Sequence, residues 1–259
     1  MMKNYTAILL CLFLFLFASI NVSAQVDRFA PLKYEDGKGG VLNYQMLFPD
    51  ANPSRKYPLV IFLHGAGERG DDNKAQLKWG VQNFATDEYM SKYPAIVIAP
   101  QCPKDMQWSN LDFDREAGTI TLKESPSKTM EMLIQLIEKT MKEMPVDPSR
   151  VYITGLSMGG FGTFDLTMRK PDWFAASVPV CGGGDISKAS TIAKIPTWVF
   201  HGAEDAVVPS KLSADMVDAL KKAGANPGYT EYPEVGHFSW LMAYSDPLMI
   251  EWMFRQRKK

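Results

Sequence analysis

The chain has 259 residues, 28 Lys or Arg against 29 Asp or Glu, and a formal net charge of −1 at pH 7. A balance this even lacks the basic excess that binding to nucleic acid or to an anionic membrane surface calls for. The length suits one domain around a single sizeable core, and no Pro/Ser-rich linker or internal repeat divides it.

Residues 1–24 read as a secretory leader. Lys3 gives a weakly positive start, Ala7 to Ile20 is an almost unbroken apolar run, and Val22-Ser23-Ala24 offers small residues for cleavage after Ala24. The run is shorter than the about 20 residues a membrane span needs. Cys11 lies inside it without the small residues that would precede a lipid-attachment cysteine. The expected location is periplasmic or extracellular, with residues 25–259 forming one catalytic domain and no stable membrane insertion.

Phe29 to Tyr34 and Val41 to Phe48, separated by Glu35-Asp36-Gly37-Lys38-Gly39-Gly40, read as an antiparallel hairpin. Leu59 to Leu63 and Ala95 to Ala99 are wholly apolar runs, as strands buried on both faces require. Ser127 to Met144 places Met130, Leu133, Ile134, Ile137 and Met141 on one helical face, which makes these methionines core residues. Strands follow at Val151 to Thr154, Ala175 to Val180, Thr197 to Phe200 and Tyr229 to Tyr232. Helices are expected at Lys211 to Ala223 and Pro247 to Gln256. Such alternation implies an α/β fold with a mostly parallel, doubly wound sheet and an antiparallel N-terminal hairpin.

The segment after the third buried strand reads Gly155-Leu156-Ser157-Met158-Gly159-Gly160, a G-x-S-x-G turn between strand and helix. A serine on such a turn projects its hydroxyl at the carboxyl end of the strand. The helix N-terminus beneath supplies free N–H groups and positive dipole where an oxyanion would form. Ser157 needs a base, and that base needs an orienting acid. The chain has three histidines, His64, His201 and His237. His237, in a Gly-flanked loop after the last strand, is the only one C-terminal to a suitable carboxylate, in the order Ser, Asp, His. Asp205 and its neighbour Glu204 compete for the acid, and His201 reads as structural, capping its strand end. His64-Gly65-Ala66-Gly67 follows the first buried strand. Its glycines let the backbone present the Ala66 N–H beside that of Met158 as an oxyanion hole. The same glycines lack the Lys-Ser/Thr ending of a phosphate loop. No Cys/His/Asp/Glu cluster has metal-ligand spacing, so neither a metal nor another cofactor is expected.

These segments together resemble the α/β-hydrolase superfamily. More narrowly, Phe62 to Gly70, Val146 to Tyr152 and Gly155 to Gly160 look like small secreted esterases of the polyhydroxybutyrate-depolymerase-like and feruloyl-esterase-like groups. In the related carboxylesterase and acyl-protein thioesterase group, a His-Gly-x-x-Asp-x-x-Val-Pro motif carries the catalytic acid. Here it runs from His201 to Pro209, which favours Asp205 over Glu204. Lipases and many esterases of this architecture insert a cap between the strands near Cys181 and Thr197. About 15 residues leave no room for one, so the site should be open.

The resemblance implies a serine esterase for carbohydrate-linked feruloyl or acetyl groups, with an exo-acting peptidase or thioesterase as alternatives. A catalytically inactive carbohydrate-binding protein is the alternative outside enzymes. Trp108, in the loop after the second buried strand, is expected to overhang the site, and either it or Trp240, three residues after His237, to stack on a sugar or phenolic acyl group, with Gln101 as a further substrate contact. Trp79 and Trp173 are expected to serve packing. Cys102 and Cys181 should end strands three positions apart, roughly 14 Å at about 4.8 Å per strand, too far for a disulfide.

Overall fold

In the computed structural model, residues 25–49, 52, 54–114 and 118–258 are described. The leader expected at 1–24, with Cys11, lies outside them. The elements in chain order begin with β1 (Phe29–Glu35), β2 (Val41–Leu47), β3 (Tyr57–Leu63), α1 (Asp87–Lys92) and β4 (Ile96–Pro100). There follow β5 (Leu111–Asp114), β6 (Thr119–Leu122), α2 (Lys128–Glu143), β7 (Val146–Leu156), α3 (Met158–Arg169) and β8 (Ala176–Val180). The chain closes with α4 (Ala189–Ile192), β9 (Trp198–Gly202), α5 (Lys211–Lys222), β10 (Gly228–Tyr232), α6 (Trp240–Ser245) and α7 (Pro247–Arg255).

Eight strands form one sheet in the order β1-β2-β4-β3-β7-β8-β9-β10. The expected hairpin pairs from Phe29↔Leu47 to Glu35↔Val41, and β2 joins β4 antiparallel. From β4 to β10 every pairing is parallel. Alternation along the central strands divides two cores. Leu59, Ile61 and Leu63 of β3 face Met130, Leu133 and Ile137 of α2, with Met216 and Leu220 of α5 in the same cluster. Val60 and Phe62 face the other way, toward Val81, Phe84 and the α7 residues Met249, Ile250 and Met253. Both faces are apolar because both are covered, so these strands show no polar alternation.

Local signals explain the helix starts. The Ser127 hydroxyl accepts the Met130 N–H at 3.0 Å, and Asp246 caps α7 ahead of Pro247. The stretch between β8 and β9 holds only short turns and α4, and among the described residues no separate cap domain covers the sheet. The separate β5–β6 ribbon has no counterpart among the predicted elements. Its strands are four residues each, and Ile120 is their one buried residue, so no periodic signal could build up. The ribbon is tied down at its base instead. The Arg169 guanidinium, paired with buried Asp165, donates to the carbonyls of Glu124 at 2.7 Å and Lys123 at 2.9 Å. Asp165 also accepts the Asn110 N–H, and Asp185 accepts that of Leu122, each at 2.9 Å.

Candidate active site

Ser157 sits between β7 and α3 at φ 53° and ψ −116°, a conformation that side chains other than glycine seldom adopt. The Ser157 N–H donates to the Val180 carbonyl of β8 at 2.9 Å, and its own carbonyl accepts from Gly160 at 2.8 Å and Phe161 at 3.1 Å. The turn is thus held on both sides. Glycine is needed at 159 for a reason outside the turn itself: a Cβ there would lie 2.0 Å from the Leu63 carbonyl oxygen of β3. Met158 and Gly159 open α3, where the first N–H groups have no acceptor within the helix.

The His237 ring reaches the serine. Nε2 lies 2.9 Å from Ser157 Oγ, and Nδ1 lies 2.7 Å from Asp205 Oδ2. Since the carboxylate can only accept, Nδ1 carries the proton and Nε2 is free to take one from the hydroxyl. The loop bearing His237 crosses the end of β9 closely, and a Cβ on Gly202 would lie 2.3 Å from both the Val235 and Gly236 carbonyls. Asp205 is buried, whereas Glu204 is exposed, which decides between the two adjacent carboxylates. Burial alone would raise the Asp205 carboxyl. The hydrogen bond from His237 and the N–H groups of Val208 and Val207 outweigh it and hold the group below the usual carboxylate range.

His201 is buried beside this acid. Its Nε2 faces the Val208 carbonyl at 2.9 Å and Asp205 Oδ2 at 3.2 Å, two acceptors, so that nitrogen carries the proton. Burial pushes its pKa down, and the ring serves as a neutral support for Asp205. The Cys181 thiol, a free cysteine, ends β8 within 4.8 Å of the Asp205 and His237 ligand atoms. Burial pushes that thiol up to about 12, so it stays protonated there. Cys102 is likewise buried and unpaired in a disulfide, at the end of β4, three strands from β8.

The loop after β3 lies on the other side of Ser157 in the sheet order. Ala66 opens a short 3₁₀ turn, exposed, with its carbonyl accepting from Arg69 Nε at 3.0 Å. His64 anchors the loop from below. Its Nε2 accepts the Cys102 N–H at 2.9 Å and its Nδ1 donates to the Gly65 carbonyl at 2.6 Å. Burial lowers the His64 pKa to about 4, which keeps this two-way bridge neutral.

Three expected substrate contacts, Trp108, Gln101 and Trp240, are buried instead. Trp108 does not overhang the site: it is 0% exposed, and its indole N–H donates to the His64 carbonyl at 3.0 Å. Gln101 is also enclosed, accepting the Asn73 N–H at 2.7 Å while donating to Asp72 at 2.7 Å and to the Glu68 carbonyl at 3.2 Å. Both brace the loop that holds Ala66. A tryptophan or glutamine in a strand-end loop can be drawn inward when a buried carbonyl or carboxylate needs a donor.

Trp240 is 6% exposed and packs edge-on against the His237 ring at 5.2 Å, so it positions the imidazole and offers no free face. The exposed ring beside the histidine is Phe238, 4.7 Å from Trp240 and 6.4 Å from half-buried Trp79. Trp79 packs there with its N–H on buried Glu68 at 3.0 Å. Trp173 packs partly buried against the core, as expected. Phe238, adjacent to His237, is the aromatic candidate that the sequence reading did not single out.

A serine activated through histidine by a buried carboxylate, at the carboxyl ends of parallel strands, defines a serine hydrolase of the α/β-hydrolase class. Such a site can form and hydrolyse an acyl-enzyme. Comparison with known proteins narrows the class: residues 50–243 match the model of the phospholipase/carboxylesterase family, and the chain belongs to that family.

The structure is similar to that of a thermostable esterase, with a TM-score of 0.82 and 42% identity over 90% of this chain and 64% of that one. In sequence it is 30% identical to a poly(3-hydroxyalkanoate) depolymerase C of Paucimonas lemoignei, over 54% of this chain and 32% of the relative. It is 27% identical to an endo-1,4-beta-xylanase/feruloyl esterase of Xylanibacter ruminicola, over 65% of this chain and 22% of the relative. The match therefore spans a third or less of these two curated relatives. Among the described residues, no helix is long and apolar enough to cross a membrane.

Proposed function

We propose that the protein is a secreted serine carboxylesterase that removes acyl groups linked to carbohydrate. The observation that carries this reading is the unbroken relay from Ser157 through His237 to buried Asp205, at 2.9 and 2.7 Å. Ser157 Oγ attacks the ester carbonyl carbon as its proton passes to His237 Nε2. The Asp205 carboxylate accepts the Nδ1–H and stabilises the imidazolium. The negative charge developing on the carbonyl oxygen is met by the N–H groups of Ala66 and Met158. His237 then protonates the leaving alkoxide, the carbon–oxygen bond breaks, and water attacks the acyl-enzyme by the reverse proton route.

The carbohydrate side of the reading is supported by an uncapped site and by the relative named as a xylanase/feruloyl esterase. An ester on a polymer can approach Ser157, which is half-buried, and His237, whose side chain is 14% exposed. Export to the periplasm or beyond is proposed from the leader at 1–24.

Parallel assays on methyl ferulate, acetylated xylan and an aminoacyl anilide test the reaction class. The proposal expects kcat/KM for one of the two esters to exceed that for the anilide at least about a hundredfold. An anilide cleaved best would assign the site to peptide bonds instead.

A further inference from the structure

We infer that the cleft between the β5–β6 ribbon and the acid loop is the acyl-group pocket, and that it takes an aromatic acyl group. This rests on the esterase reading above and names the substrate class for the same site. The cleft has a volume of about 450 Å³, within the about 300–1,000 Å³ typical of small-molecule sites. Its walls are Phe113 and Ile120 of the ribbon, Phe161 of α3, Val207 and Val208 of the acid loop, and Leu212 of α5.

Two of these walls grow directly from the catalytic segments. Phe161 lies one turn along α3 from Ser157, its N–H bonded to the Ser157 carbonyl at 3.1 Å. Val207 and Val208 donate their N–H groups to Asp205 Oδ1 at 2.9 and 2.8 Å, while the other oxygen of that carboxylate holds His237. The walls of the cleft are thus bonded to the segment that carries the nucleophile on one side and to the acid on the other.

Its rim is left apolar without being closed. Phe113 is 53% exposed and Val207 69% exposed, yet Ile120, Phe161 and Val208 below them are each no more than 9% exposed. Large apolar groups at a rim gain little from the fold and gain more by covering an apolar ligand. The Phe113 and Phe161 rings meet edge-to-face at 5.6 Å and 68°, an arrangement that a third ring can extend. An acetyl group would leave most of this volume to water. The ribbon's base is fixed by Arg169, Asp165 and Asp185, so Phe113 projects from a held support.

The test varies the acyl group with one leaving group: 4-nitrophenyl 3-phenylpropanoate, octanoate and acetate, with wild type and the variants Phe113→Ala and Val207→Trp. The first variant removes a wall and the second blocks the mouth. Both positions are exposed, so neither change opens the core. Wild type is expected to favour phenylpropanoate over acetate at least about tenfold in kcat/KM. Each variant should lower that ratio at least about fivefold.

A ratio that neither variant moves by more than about twofold, or a wild type that favours acetate or octanoate, overturns the pocket. In those cases a fluorophosphonate probe that still labels Ser157 leaves the serine esterase standing. A wild type that hydrolyses none of the three and takes no label removes both readings.

Discussion

Ser157, His237 and Asp205 are joined by two hydrogen bonds, and the charge on the serine oxygen and on the imidazole changes during the reaction. The loop from His64 to Gly70, by contrast, is fixed mainly by neutral groups, beside the Arg69 guanidinium that donates to the Ala66 and Met106 carbonyls. The Trp108 indole, the Gln101 amide and the His64 imidazole hold it through bonds of 2.7 to 3.2 Å to backbone and side chains. The difference separates chemistry from preorganisation. A proton must move between Ser157 and His237 while Asp205 stays a carboxylate, whereas the donors proposed for the oxyanion hole act best when they do not reorganise at all. The two regions should therefore fail differently when disturbed.

Removal of the nucleophile gives the largest effect. Ser157→Ala should lower kcat on an activated acetate ester by about 10⁴-fold or more, with residual turnover from the oxyanion donors alone. Asp205→Asn should cost about 10³-fold in kcat with KM little changed, since an amide at that place no longer fixes the Nδ1–H tautomer. Equal activity of Asp205→Asn and wild type would make Glu204 the acid after all.

The braced loop predicts something smaller and different in kind. Trp108→Phe keeps the ring and strands the His64 carbonyl without its donor. It should lower stability by about 1–3 kcal/mol in urea unfolding and kcat by about tenfold. A variant with full stability would show that Trp108 carries no bracing load.

The smallest effect is pH dependence of the scaffold. Folded His64 titrates at about 4, below the 6.5 of an unburied histidine. The unfolded chain therefore binds the proton more readily. This contribution to stability is fully present above about 6.5 and declines as pH falls toward 4. His201, lowered by burial, acts in the same direction. Asp205, held below the usual carboxylate range, loses its contribution only at more acidic pH. The urea midpoint should thus fall between pH 7 and pH 4.5. A midpoint that stays constant would mean that His64 is charged in the fold.

The two regions also differ in how far they could be read from sequence. Ser157 announces itself because strained geometry and close backbone approach require glycine two residues before and two after it, and that restriction is local. Asp205 and His237 follow from chain order and from the scarcity of histidines. Trp108 and Gln101 occupy strand-end loops, and nothing near them in sequence tells whether they face solvent or protein. Their partners, the His64 carbonyl 44 residues earlier and Asp72 29 residues earlier, exist only once β3 and β4 pair. The buried strands were legible as unbroken apolar runs and α2 through its helical periodicity. The β5–β6 ribbon was not, because its order comes from Arg169 and Asp185 and not from its own pattern.

Mass spectrometry of the intact protein and its peptides after treatment with a fluorophosphonate probe tests the central claim most directly. One adduct is expected, on Ser157, forming rapidly in wild type and at least about a hundredfold more slowly in His237→Ala. An adduct on another residue, or one formed at equal rates by both proteins, would contradict it.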